Sequence, residues 1–144
     1  MDEYDALKLE NQLCFPLYAA SREVIKRYRP ALDALELTYT QYITMLVLWE
    51  AGKISVKELG KKLYLDSGTL TPVLKSLEGK GLVSRCRSTR DERVLIVACT
   101  AQGLSLRDRA LDVPGQIAGS IRLEKDEAEV LYSLLYKLLG SAGE

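Results

Sequence analysis

The chain contains no histidine among its 144 residues, and this absence removes several classes of chemistry. Ser-His-Asp and Cys-His nucleophile pairs, histidine metal ligands and a histidine general base are all excluded. The formal net charge is zero, with 20 basic and 20 acidic side chains, so the chain is not a generally polybasic nucleic-acid binder. No apolar run approaches the roughly 18 residues that a membrane span needs, and no membrane partner is expected.

Cysteine is also scarce, with Cys14, Cys86 and Cys99 as the three examples. Their number is odd and no pair has Cys-x-x-Cys spacing, so neither a disulfide scaffold nor a zinc site is expected. No metal and no other cofactor is predicted. The acidic N-terminal segment lacks the basic region of a secretory signal, so a cytoplasmic location with reduced thiols is the expectation.

Hydrophobic periodicity and capping residues predict a mainly helical protein with one small β-hairpin. Pro30 is expected to end the first helix, whereas Pro16 either lies in an early turn of it or kinks it. The predicted elements are a helix over about 7–30, a helix opened by Thr38 with Gln41 and stopped by Gly52, a short helix opened by Ser55 with Glu58, a short helix capped by Asp66, strands at 82–87 and 94–99, a helix from Thr100 to about Gly119 with a kink at Pro114, and a helix from Glu124 to Gly140.

This order of elements predicts the fold class. A helix-turn-helix followed directly by a β-hairpin is a winged helix, here an α+β core at about 38–100 within a single domain of residues 1–144. The flanking helices, at about 7–30 and 101–140, carry more apolar surface than this core can cover. An intertwined homodimer that buries their faces is therefore expected.

Charge is distributed unevenly along the chain. Residues 53–93 carry 10 basic and 5 acidic side chains, whereas residues 1–52 carry 5 and 8 and residues 94–144 carry 5 and 7. The basic segment coincides with the predicted helix-turn-helix and hairpin, as a phosphate-binding surface requires. The alternative is an ordinary charged surface in water.

The second short helix and the hairpin tip supply candidate DNA contacts. Opposite its apolar stripe, the helix presents small and hydroxyl-bearing side chains that suit a major groove. At the tip, an arginine held by Asp91 would fit a minor groove, although an ordinary polar loop explains the tip equally well. The predicted DNA-binding residues are Ser67, Thr69, Thr71, Pro72, Lys75, Arg85, Arg87, Arg90, Asp91 and Arg93.

Two sequence segments carry a family resemblance. Residues 65–72, LDSGTLTP, together with Asp91-Glu92-Arg93, resemble the MarR family of winged-helix regulators. Residues 9–18, LENQLCFPLY, resemble the organic hydroperoxide-sensing OhrR type within that family. The resemblance implies a homodimeric repressor of double-stranded operator DNA with an inverted repeat. Its implied signals are organic hydroperoxides and a low-molecular-weight thiol, and it implies no enzymatic activity.

The resemblance also assigns roles to a cysteine and three tyrosines. It implies that Cys14 is the redox-sensing residue and that Tyr18, Tyr28 and Tyr39 hydrogen-bond it and frame it. Cys14 and Tyr18 share a helix face, but Tyr28 lies about 21 Å further along a straight helix and would have to come from the other subunit. Phenol hydroxyls that donate to sulfur stabilise the thiolate that attacks peroxide. Apolar neighbours, among them Phe15, Leu17 and Trp49, would favour alkyl or lipid hydroperoxides.

Oxidation of Cys14 to sulfenate and then to a mixed disulfide would release the DNA. Residues 101–144 contain no cysteine, which indicates the one-cysteine type. Cys86 and Cys99 are expected to face each other across the hairpin as packing residues.

Three alternatives remain open at this point. Without the resemblance, Cys14 would be interpreted as a buried and inert helix residue. A MarR-type regulator could instead respond to a small aromatic ligand in the dimer cleft, or to general thiol stress like regulators of the SarZ and MgrA kind. A thiol peroxidase is disfavoured by the missing resolving cysteine and by the apparent recognition helix.

Overall fold

The computed structural model describes residues 2–143, with side chains described for residues 2–140. Two 3-10 helices, Glu3–Leu7 and Leu9–Asn11, precede the regular elements. These elements are α1 (Cys14–Asp33), α2 (Tyr39–Ala51), β1 (Lys53–Ser55), α3 (Val56–Leu63), α4 (Ser67–Gly79), β2 (Val83–Arg87), β3 (Leu95–Cys99), α5 (Ala101–Arg109), α6 (Val113–Ala118) and α7 (Lys125–Gly143).

Helices α3 and α4 form the helix-turn-helix, and strands β2 and β3 form the wing, so the predicted winged-helix fold is confirmed. Strand β1 adds to the free side of β3 and makes an antiparallel sheet in the order β1-β3-β2. Strand β1 was not predicted, because three residues between two helices show no strand periodicity. The short strand anchors the wing to the end of α2.

The prediction that Cys86 and Cys99 lie opposite each other across the hairpin is wrong. Cys86 pairs with Ile96 and Cys99 pairs with Val83, because the hairpin is centred on Asp91. The expected centre lay at residues 92–93, which shifts the partner of Cys86 by three residues. The two thiols therefore lie at different positions along the wing.

The core lies between the helix-turn-helix, α2 and the sheet. The predicted apolar stripe of α4 points into it, and the side chains at its centre are almost wholly inaccessible to solvent. They are Met45, Leu48, Leu59, Leu70, Leu74, Leu77 and Val97. This burial fixes which face of α4 remains outside.

The predicted helix starts in this core are confirmed. Thr38 and Gln41 form a reciprocal capping box at α2, and Gly52 ends that helix at a φ of 75°. The Ser55 side chain accepts from the Glu58 N–H at the start of α3. The Asp66 carboxylate accepts from the Thr69 N–H and so fixes where α4 begins.

The first long helix differs from its prediction at both ends. It begins at Cys14 rather than near residue 7, because the preceding segment folds into 3-10 turns in which Asn11 Nδ2 donates to the Asp5 carbonyl at 2.7 Å. Pro16 consequently lies in the first turn, where a missing N–H costs little. The helix also passes through Pro30 to Asp33, because burial of Leu32 in the core offsets the hydrogen bond that Pro30 removes.

The C-terminal helices are also corrected. The single kinked helix expected from Thr100 to Gly119 is two helices, α5 and α6, with Pro114 in the first turn of α6. The last helix begins after Glu124, whose N–H donates to Glu127 Oε1 at 2.9 Å. It continues to Gly143 rather than ending at Gly140. Within the described residues, we find no helix with the length and apolarity to cross a bilayer.

Gly103 in α5 permits close packing on the sheet, and its replacement provides a test of this packing. A Cβ at this position would lie 2.2 Å from the Leu82 carbonyl oxygen and 2.8 Å from Cys99 Sγ. We expect Gly103→Ala to lower the free energy of unfolding by about 1–3 kcal/mol, measured by urea denaturation at fixed protein concentration.

Gly79→Ala is the matched control, because nothing lies within 4 Å of a Cβ there. We expect this variant to be unchanged or more stable by up to about 1 kcal/mol. Equal stability of both variants would contradict the close packing at Gly103.

Candidate functional site

The outer face of α4 is exposed as the sequence predicts. Ser67, Thr69, Pro72 and Lys75 are exposed, and Thr71 is half-buried with its hydroxyl donating to the Ser67 carbonyl at 2.7 Å. This face carries one charge and several small side chains. It can approach a groove of DNA closely without burying unpaired charge.

Asp66 orients this helix from its N-terminal end. Its carboxylate accepts from the Thr69 N–H at 2.7 Å. Hydrogen bonds from Thr69, and a weaker one from Gly68, lower the pKa of Asp66 below its usual range. Its negative charge at the helix N-terminus is therefore maintained at neutral pH, and this charge interacts favourably with the helix dipole.

At the tip of the wing, Asp91 holds Arg93. Arg93 Nε donates to Oδ1 of Asp91 at 3.1 Å and Nη2 donates to Oδ2 at 3.3 Å. These bonds lower the pKa of the Asp91 carboxyl. The Arg93 side chain is nevertheless 90% exposed, so it is oriented and still accessible. Arg87 and Arg90 are exposed nearby.

Arg85 is placed differently from the other predicted arginines. Its guanidinium donates to both carboxylate oxygens of Glu78, at 3.3 and 3.4 Å, and its side chain is only 19% exposed. The hydrogen bond from Arg85 lowers the pKa of Glu78. This pair joins β2 to the C-terminal end of α4. The role of Glu78 was not predicted, because its partner Arg85 lies on the following strand and not on the same helix face.

Three tyrosines form a second cluster, at the junction of α1 and α2. The Tyr28 and Tyr39 rings meet edge to face with centroids 5.0 Å apart, and Tyr42 lies 5.8 Å from Tyr28. Burial raises the pKa of each of the three phenols. Their hydroxyls thus stay protonated at neutral pH and can donate hydrogen bonds. Tyr42 was not predicted as a member of this cluster, although its spacing of three from Tyr39 places it on the same side of α2.

Cys14 is exposed at the first position of α1. Tyr18, one turn later, accepts a hydrogen bond from Arg22 Nη1 at 3.1 Å, and the Arg22 guanidinium lies over its ring. Because Arg22 supplies the donor, the Tyr18 proton remains free for another acceptor. An open groove of about 580 Å³ is lined by residues on both sides of Cys14 in the sequence, namely Lys8, Leu9, Glu10, Gln12, Phe15 and Pro16, and Cys14 itself is not in its lining.

One protomer does not bring all the predicted sensor residues together. Tyr28 and Tyr39 are in contact, but Cys14 is separated from Tyr28 by fourteen residues of continuous helix, or about 21 Å. Trp49, expected among the apolar neighbours of Cys14, donates from Nε1 to the Gly103 carbonyl at the contact between α2 and α5. A sensor made of Cys14, Tyr28 and Tyr39 would therefore need residues from two subunits.

Sequence comparison identifies relatives of this chain. The family model described as transcriptional regulator SarA/Rot matches residues 23–109. The organic hydroperoxide resistance transcriptional regulator of Bacillus subtilis is 49% identical over 138 residues, which cover 96% of this chain and 94% of the relative. The expected resemblance to hydroperoxide-sensing regulators is confirmed.

Solved structures confirm the fold. Reduced AbfR bound to DNA, a protein of Staphylococcus epidermidis, superposes with a TM-score of 0.78 and 34% identity, covering 99% of this chain and 100% of that one. A cysteine-to-serine mutant of MarR from E. coli, complexed with operator DNA, superposes with a TM-score of 0.78 and 25% identity, covering 96% and 99%. The architecture is the MarR-type winged helix.

The charge of Asp66 gives this site a testable pH dependence. Because hydrogen bonds lower its pKa in the folded state, its stabilising effect is complete above the ordinary Asp value of about 3.9 and is lost as the pH falls through the lowered value. Asp66→Asn keeps a capping side chain but cannot titrate.

We expect wild type to have a higher urea midpoint of unfolding than Asp66→Asn at neutral pH. The difference between the two midpoints should disappear in acid. The other carboxylates titrate alike in both proteins, so the difference isolates Asp66. A difference that is independent of pH would contradict the hydrogen-bonded carboxylate.

Proposed function

Because this chain belongs to the SarA/Rot family of transcriptional regulators, we propose that it is a redox-sensing repressor that responds to organic hydroperoxides. As a homodimer it binds operator DNA while Cys14 is reduced and releases it after Cys14 is oxidised. The single observation that supports this proposal is that Cys14 is exposed at the start of α1, fourteen residues of continuous helix before Tyr28. The whole chain acts as one domain, in the cytoplasm.

The basic segment supplies the DNA interface. Helix α4 enters the major groove, where Ser67, Thr69, Thr71 and Pro72 meet base edges and Lys75 meets a phosphate. The wing approaches the adjacent minor groove with Arg87, Arg90 and Arg93, and Asp91 orients Arg93. A two-fold dimer presents two such units, so its operator is an inverted repeat with half-sites about one helical turn apart.

The sensor reaction is a two-electron oxidation of Cys14. The thiolate sulfur attacks the terminal peroxide oxygen, the O–O bond breaks, and the alkoxide takes a proton and leaves as an alcohol. A low-molecular-weight thiol then attacks the sulfenic sulfur, releases water and forms a mixed disulfide. An external thiol is needed because residues 101–144 contain no cysteine.

The surroundings of Cys14 favour this chemistry. Leu9, Phe15 and Pro16 give the adjacent groove an apolar wall, which favours an alkyl or lipid hydroperoxide over hydrogen peroxide. Tyr18 of the same subunit, with the partner subunit's Tyr28 and the partner subunit's Tyr39, donates hydrogen bonds that stabilise the thiolate. A mixed disulfide adds bulk there, separates these contacts and changes the spacing of the two recognition helices.

The direct test compares wild type with Cys14→Ser on DNA from upstream of the protein's own gene. Fluorescence anisotropy is measured before and after one equivalent of cumene hydroperoxide with a small thiol. We expect both reduced proteins to bind and only wild type to be released. Binding that peroxide leaves unchanged in both proteins would contradict the redox function and leave a winged-helix regulator with another signal.

The salt dependence of DNA binding distinguishes residues that contact phosphate from residues that only hold the DNA-binding elements in place. Lys75→Gln should reduce the slope of log K against log salt by about 0.9 for each subunit, because one phosphate contact is lost. Arg85→Gln should weaken binding without changing the slope, because Arg85 supports the wing through Glu78. Glu78→Gln is the matched control and should behave like Arg85→Gln. A slope reduced by Arg85→Gln alone would make Arg85 a phosphate contact.

A further inference from the structure

The turn between α1 and α2 has a sensor tyrosine on each side. Tyr28 lies near the end of α1, Tyr39 is the first residue of α2, and their ring centroids are 5.0 Å apart. Within the turn, Leu35 and Leu37 are buried and Glu36 adopts a φ of 56°. The turn is thus a defined structure, and a displacement of the tyrosine pair must displace it too.

Three side chains attach this turn to the C-terminal end of α4, and we refer to Gln41, Ser76 and Lys80 as the clamp. Gln41 is 6% exposed and its Nε2 donates to Ser76 Oγ at 2.8 Å. Its Oε1 accepts from Lys80 Nζ at 3.0 Å and from the Thr38 N–H at 3.0 Å. Lys80 Nζ also donates to the Glu36 carbonyl.

The clamp resists sliding of α4 past the turn. Gln41 is buried, so breaking the bond from its Nε2 to Ser76 leaves the amide donor without water or partner, which costs more than the bond itself contributes. The bonds from the Lys80 ammonium are charge-assisted and therefore stronger than neutral ones. The turn and the end of the recognition helix are consequently expected to move as one unit.

We propose that Gln41, Ser76 and Lys80 are positioning residues that transmit displacement of the Tyr28–Tyr39 pair to the recognition helix. The inference rests on the proposed function, because it concerns how that sensor acts on DNA. When oxidation of Cys14 separates the tyrosine contacts, the turn shifts and the clamp carries the end of α4 with it. The recognition helices of the two subunits then no longer match their half-sites.

The first test uses Ser76→Ala and Lys80→Met, two changes at exposed positions that leave the core intact. Dissociation constants for the operator fragment are measured by anisotropy for the reduced and oxidised proteins, and mass spectrometry follows modification of Cys14. We expect Cys14 to react at the wild-type rate, while the ratio of oxidised to reduced dissociation constants falls by about fivefold or more.

Lys75→Met is the matched control, because it removes the same charge from another position on α4. It should weaken binding in both redox states and leave the ratio unchanged. Ratios for Ser76→Ala and Lys80→Met that equal the wild-type ratio would overturn the proposal.

A second test does not depend on peroxide. Tyr39→Leu removes the ring contact with Tyr28 and should weaken operator binding by the reduced protein. In the double variant with Lys80→Met, the loss of operator affinity should be smaller than the product of the two single losses, because both changes act on the same connection. Multiplicative losses would overturn the proposal. If peroxide fails to release wild type from DNA but the losses of affinity are less than multiplicative, the proposed redox function is wrong and the proposed role of the clamp is still supported.

Discussion

The rigid length of α1 is the constraint on which the proposed sensor depends. One continuous helix carries Cys14 at its first position and Tyr28 fourteen residues later, so the thiol and the phenol of one subunit cannot meet. Tyr28 is instead in contact with Tyr39, at the far end of the helix from the cysteine. A sensor built from these residues would therefore need a second subunit, and a two-fold dimer would form two such sensors.

The same arrangement explains the apolar surface of the protomer. Leu13 and Phe15 at the start of α1 are exposed, as are Leu131, Leu134 and Leu138 on α7. A soluble monomer seldom leaves such continuous apolar faces in water. An interface between two subunits would cover both of these faces.

Local signals predicted much of the fold from the sequence. The Thr38–Gln41 capping box, the Asp66 cap and the leucine stripe of α4 depend on neighbours within one or two turns, and all three are confirmed. The elements that were wrong depend on tertiary contacts. Pro30 continues its helix because Leu32 is buried, and the wing register follows from a turn centred on Asp91.

The residues of the candidate site also divide into those that the sequence indicated and those that depend on tertiary contacts. Residue type and helical face indicated the outer side of α4, and the family resemblance supplied Cys14, Tyr18, Tyr28 and Tyr39. The pairing of Arg85 with Glu78 joins a helix to the strand that follows it, and the bonds of Gln41 to Ser76 and Lys80 join elements far apart in the chain. No periodicity reports such contacts, so they became visible only in the folded structure.

Mixed dimers test most directly whether the sensor crosses the subunit interface. Cys14→Ser and Tyr28→Phe subunits are combined, differently tagged, and the heterodimer is purified and treated with cumene hydroperoxide. A sensor shared between subunits pairs the remaining Cys14 of the heterodimer with the intact Tyr28 of the other subunit, so we predict that this cysteine reacts at the wild-type rate. Reaction no faster than in the Tyr28→Phe homodimer would place each sensor within one subunit and contradict the account.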